Sequence, residues 1–134
     1  MKWLRKLFKK KYKLTEDNLK WNKMCDMYDE RTLPSPYYEI FDYDSGIQGE
    51  GHYCYFDNCG DDLNRIIGVL MNNLPPVLKE NLRNAYDCYI RLENECDEEN
   101  DEKTIIECDS VYYKNEKLIK NVLQEYANTL NLSE

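Results

Sequence analysis

From residue 63 onward the apolar positions fall at Leu63, Ile66, Ile67, Leu70, Met71 and Leu74. Gaps of three and one in alternation lay a single stripe along a helix, and Asp61 or Asp62 is placed to cap it. Pro75-Pro76 ends that stripe and opens the next, because proline at a first helical position loses no needed hydrogen bond. Val77, Leu78, Leu82, Ala85, Tyr86, Tyr89 and Ile90 then repeat near 3.6 residues. Two amphipathic helices joined by a proline step predict an antiparallel helical hairpin.

The same reading extends to both sides. Thr15-Glu16-Asp17 predicts a helix start, with Thr15 capping and two acids at the positive end of the dipole. Leu19, Met24, Met27 and Tyr28 follow on it, and Thr32-Leu33-Pro34-Ser35-Pro36 breaks it. A short helix from Tyr37 to Tyr43 comes next. Gly46, Gly49 and Gly51 predict an irregular turn region over residues 44–60, where the backbone needs freedom or close approach. Asp97-Glu98-Glu99-Asn100-Asp101-Glu102 reads as a solvated loop. Asp109 or Ser110 is then expected to cap a last helix carrying Val111, Leu118, Ile119, Val122, Tyr126 and Leu130. With only 5 Gly and 4 Pro, a turn-rich sandwich or barrel is disfavoured. The expectation is an all-α chain: a basic amphipathic segment over residues 1–14, then one acidic domain over 15–134, a compact bundle of five to seven helices.

Charge changes the picture. The 134 residues carry a net charge of −8, with 42% hydrophobic and 13% aromatic residues, too apolar for a disordered chain. The first 23 residues nevertheless hold seven more bases than acids, leaving −15 for the remainder. Trp3, Leu4, Leu7 and Phe8 lie among Lys9, Lys10, Lys11 and the other lysines, a pattern suited to an anionic membrane surface or to contact with the acidic body. No apolar run is long enough to span a bilayer, and none follows the basic start as an export signal requires. The expected location is cytoplasmic. Six cysteines are therefore read as thiols and small buried hydrophobes. They form no C-x-x-C pair, and His52 is the only histidine, so no zinc site or cofactor is implied.

Catalytic patterns are sparse. Phosphate-cradling G-x-x-x-x-G-K, G-x-S-x-G and H-E-x-x-H are all missing, and Gly46-x-x-Gly49-x-Gly51 follows no strand. His52 and Cys54 are the one nucleophile–base pairing on offer, yet residues two apart do not face each other on a helix. The expectation is a protein that is not an enzyme. The aromatic group Tyr37, Tyr38, Tyr43, Tyr53, Tyr55 and Phe56 is read as core, with hydroxyls reaching outward.

Residues 87–109 carry ten acids against two bases. Such a face suits a basic protein partner, and Glu93, Glu95, Asp97, Glu98, Glu99, Asp101 and Glu102 are its candidate binding residues. The run from Tyr37 to Tyr89 resembles the bacterial DNA-mimic-protein-like family of acidic helical domains. The likeness lies in an aromatic lead-in and in the turn Gly49-Glu50-Gly51-His52-Tyr53-Cys54-Tyr55-Phe56-Asp57-Asn58, where Glu50 splits the family's adjacent glycine pair. Asp109, Tyr112, Tyr113 and Tyr126 are similar to its last helix. The resemblance implies an all-helical fold, a structural turn built on Gly49, Gly51, Tyr55, Phe56 and Asn58, and carboxylates that imitate a phosphate backbone toward a DNA-binding protein. Direct nucleic-acid binding is not expected; a second copy of the chain is a further candidate partner.

Overall fold

The computed structural model describes residues 15–95 and 98–133, with the backbone alone for residues 98 and 99. The basic segment, including Trp3, Leu4, Leu7, Phe8, Lys9, Lys10 and Lys11, lies outside the described residues. So do Cys96 and Asp97, and the side chains of Glu98 and Glu99. The described residues are all-helical, without a strand among them: α1 (Glu16–Asp29), α2 (Tyr37–Cys59), a 3-10 turn (Gly60–Asp62), α3 (Leu63–Asn73), α4 (Pro76–Glu93) and α5 (Glu98–Ala127). None of these helices is long and apolar enough to cross a membrane.

The chain divides into two compact units, Met1–Leu33 with Gln124–Glu134, and Pro34–Leu123. In the first, Thr15 Oγ1 accepts from the Asn18 amide at 3.1 Å, and Glu16 and Asp17 stand in the first turn of α1 as the sequence predicts. The helix closes through Arg31 at φ 60°, with the amides of Thr32 and Leu33 both returning to the Met27 carbonyl. Lys20 and Lys23 donate to the carbonyls of Asn128 and Asn131, just past the end of α5, where cations meet the negative end of a helix. Met24 and Ala127 are wholly buried here.

In the second unit α2 packs on α3 and α4. The hairpin of α3 and α4 forms around Pro75-Pro76 as expected, with Pro76 in the first turn of α4. Its buried stripe includes Leu63, Leu70, Leu74, Leu78, Leu82 and Ala85. Asn81 joins that stripe, because its amide donates to the Cys108 carbonyl on α5 at 2.9 Å and is satisfied by it.

Two expectations are corrected. Residues 44–60 are not an irregular turn: α2 runs from Tyr37 to Cys59, and only Gly51 leaves helical geometry, at φ 82° and ψ 174°. Gly46 is helical and serves close approach instead, since a Cβ there would stand 2.3 Å from the Tyr55 ring. Nor is 97–102 a loop followed by a cap at Asp109. Helix α5 begins at Glu98, and Asp109 lies in its middle. Asp101, Ile105, Cys108 and Tyr112 turn inward at gaps of four and three, so the buried face starts at a carboxylate, which the apolar pattern does not register.

Candidate functional site

The break at Gly51 organises a buried polar cluster around His52. A helical restart leaves its first amides without intrahelical acceptors. The His52 amide is taken by Asp109 Oδ1 at 2.9 Å, and the same oxygen accepts from the ring Nδ1 at 2.6 Å. A carboxylate on α5 thus caps the second half of α2 from outside it. With Nδ1 carrying the proton, Nε2 is the acceptor, and the Tyr43 hydroxyl donates to it at 2.7 Å. Burial, with the charges around Cys108, Asp109 and Asp44, pushes the Tyr43 phenol well above its ordinary range, so it keeps the proton it donates. Tyr112 stands edge-on to Tyr43 at 5.5 Å and donates to Asp44, and Phe56 and Tyr112 flank the imidazole. His52 is 0% exposed. Cys54 is exposed, so the two residues weighed as a nucleophile and base face different surroundings.

Of the turn residues named from the sequence, Gly51, Tyr55 and Phe56 join this cluster. Gly51 admits Asp109: a Cβ there would meet Asp109 Oδ2 at 2.6 Å, and its positive φ strains any other residue. Tyr55 and Phe56 are buried, Tyr55 edge-on to Tyr43 at 5.4 Å. Asn58 donates to Glu50 at 2.6 Å, bridging the break. A Cβ on Gly49 would meet nothing. Of the aromatic group, Tyr37 and Tyr38 are half-buried and Tyr53 is exposed.

Tyr53 turns outward at 40% exposure and donates to Glu93 Oε1 at 2.7 Å. Behind it Tyr89 packs edge-on at 5.3 Å and donates to Asp57 at 3.3 Å. Both phenols are pushed up to about 12, Tyr53 chiefly by its bond to Glu93 and Tyr89 chiefly by burial. Tyr53, Leu92, Glu102, Ile105 and Ile106 line an open cleft of about 300 Å³, with Ile106 63% exposed.

The acidic residues separate around this cleft. Glu93 and Glu102 border it, and Glu95 is exposed beyond the end of α4, at φ 57°. Asp101 does not join an acidic face. It is 4% exposed, and the Arg91 guanidinium grips both its oxygens at 3.0 Å, holding the carboxyl below its usual range. Ile106, Leu92 and the Asp109 partner of His52 are missing from the sequence reading. The doubled Ile105-Ile106 is the one local sign that an apolar residue faces out, whereas His52 and Asp109 are 57 residues apart and share no local signal. The cysteines divide as well: Cys88 and Cys108 are buried, with burial lifting the Cys108 thiol to about 11, while Cys54 departs from the expected burial. Among the described residues no three His, Cys, Asp or Glu side chains gather to hold a metal ion. Comparison with protein-family models, curated proteins and solved structures found no match to this chain.

Proposed function

We propose that the protein is a non-enzymatic interaction module that binds a basic protein partner through the surface around Tyr53. One observation carries this reading: exposed apolar side chains, Ile106 above all, sit at a cleft with the Glu102 carboxylate in its wall and Glu93 bonded to its Tyr53. Apolar contact area bordered by carboxylates is the composition of a surface that favours a basic partner. The enclosure of His52 supports the same reading, because a wholly buried imidazole bonded at both nitrogens has no substrate to meet. The resemblance to the DNA-mimic-protein-like family supports the finer reading, a DNA-binding protein as the partner.

The test is a lysate capture with the tagged chain, repeated with excess duplex DNA and over a range of salt. Duplex DNA is expected to displace the captured partner. Joint Glu93→Gln, Glu95→Gln and Glu102→Gln substitution should weaken capture and flatten its salt dependence. Capture unchanged in the triple variant would overturn the reading.

A further inference from the structure

Resting on that reading, we infer that the Tyr53–Ile106 cleft seats an amphipathic helix of the partner, one that inserts a large apolar side chain and carries lysine or arginine beside it. Four features of this surface define the occupant. The cleft is small, about 300 Å³, at the lower end for ligand pockets and suited to one anchoring side chain rather than a cofactor. Its walls are largely apolar, from Leu92, Ile105, Ile106 and the Tyr53 ring, so the inserted group is apolar.

The charge beside it is negative. Glu102 is in the wall and Glu93 is held against Tyr53. The Arg91 guanidinium is committed to Asp101, and Lys103, three residues before Ile106 on the same side of α5, stands between Glu102 and Glu107. A cationic flank therefore gains where an acidic peptide or a nucleic acid is repelled.

The exposed apolar surface also has helical length. Tyr113 is 45% exposed and lies seven residues beyond Ile106, two turns along the same face of α5, or about 10 Å. A second helix laid along α5 meets both with residues two turns apart on its own face. Strand addition needs a sheet edge, and the described residues offer none.

The experiment uses the full chain and a fluorescein-labelled synthetic amphipathic helix of leucine and lysine, read by anisotropy. A peptide with leucine replaced by alanine is the control. Ile106→Ser is expected to weaken binding about tenfold, since Ile106 is exposed and its loss removes apolar contact without disturbing the core. Glu102→Gln should weaken it about threefold and make it less salt-sensitive, and Glu80→Gln, elsewhere on α4, should leave it unchanged.

Equal binding of both peptides, or binding indifferent to Ile106→Ser but reduced by Glu102→Gln, overturns the inference while leaving an acidic partner-binding face intact. Indifference to Glu102→Gln and to the Glu93, Glu95, Glu102 triple substitution overturns both. Self-association of the chain that Ile106→Ser abolishes would make the occupant a second copy and overturn it too.

Discussion

His52 and Tyr53 are neighbours in the chain, and each pairs an aromatic ring with a carboxylate on another helix. One pair, His52 with Asp109, is closed: both ring nitrogens and the amide are bonded, and the imidazole is wholly buried. The other, Tyr53 with Glu93, is open: its ring lines a cleft and its carboxylate faces water. The same chemical pairing therefore does two jobs. Enclosed, it holds α2 to α5, because releasing either partner strands buried polar atoms. Exposed, it adds little to stability and remains available to a partner.

The largest effect expected from breaking that contrast is at the hinge of the closed pair. Gly51→Ala puts a Cβ against Asp109 in a backbone region that favours glycine, and should cost about 3 kcal/mol or more in chemical denaturation. An unchanged midpoint would mean that the break is dispensable. Asp109→Ala strands the His52 amide and ring N–H and should cost about 2–3 kcal/mol. Combined with Gly51→Ala, the total should fall short of the sum, since both changes act on one contact.

The buried phenols set an alkaline limit. Tyr43 and Tyr112 are raised above the ordinary value of 10.0, chiefly by burial, so the unfolded chain gives up these protons first. Their contribution is fully present below that value and is lost as the pH rises above it. Denaturation midpoints should begin to fall above about pH 9, where the unfolded chain starts to release the proton that burial holds on Cys108, and fall further above pH 10, and Tyr43→Phe should soften the later fall. The smallest effect belongs to the open pair. Tyr53→Phe should change stability by less than about 0.5 kcal/mol, while Tyr53→Ala should reduce partner capture. A large loss of stability from Tyr53→Phe would erase the distinction between the two pairs.

Where local chemistry decides structure, the sequence is legible. Thr15 caps α1 through its own hydroxyl, and Pro75-Pro76 ends one helix and starts the next by removing donors and fixing φ. Where a distant residue decides, it is not. The start of α5 is hidden because the inward position at Asp101 is charged, and it is made tolerable by Arg91 on another helix. Three glycines announce a disturbance in α2, yet which one breaks the helix depends on Asp109, 58 residues beyond Gly51. Two positions apart on the helix after that break, Tyr55 faces inward and Tyr53 outward, so an aromatic group read as core supplies a wall of the cleft. Charge counting finds Glu93 and Glu102 but cannot distinguish them from the sequestered Asp101.

His52 has one more consequence, because it is the chain's only histidine. Every imidazole resonance in a proton spectrum of the intact, unlabelled protein comes from a single ring, sealed between Asp109 and Tyr43. Its Nδ1 proton, shielded from solvent, exchanges only when that enclosure opens. The molecule carries its own spectroscopic gauge of core integrity, legible without a tag, a dye or a substitution.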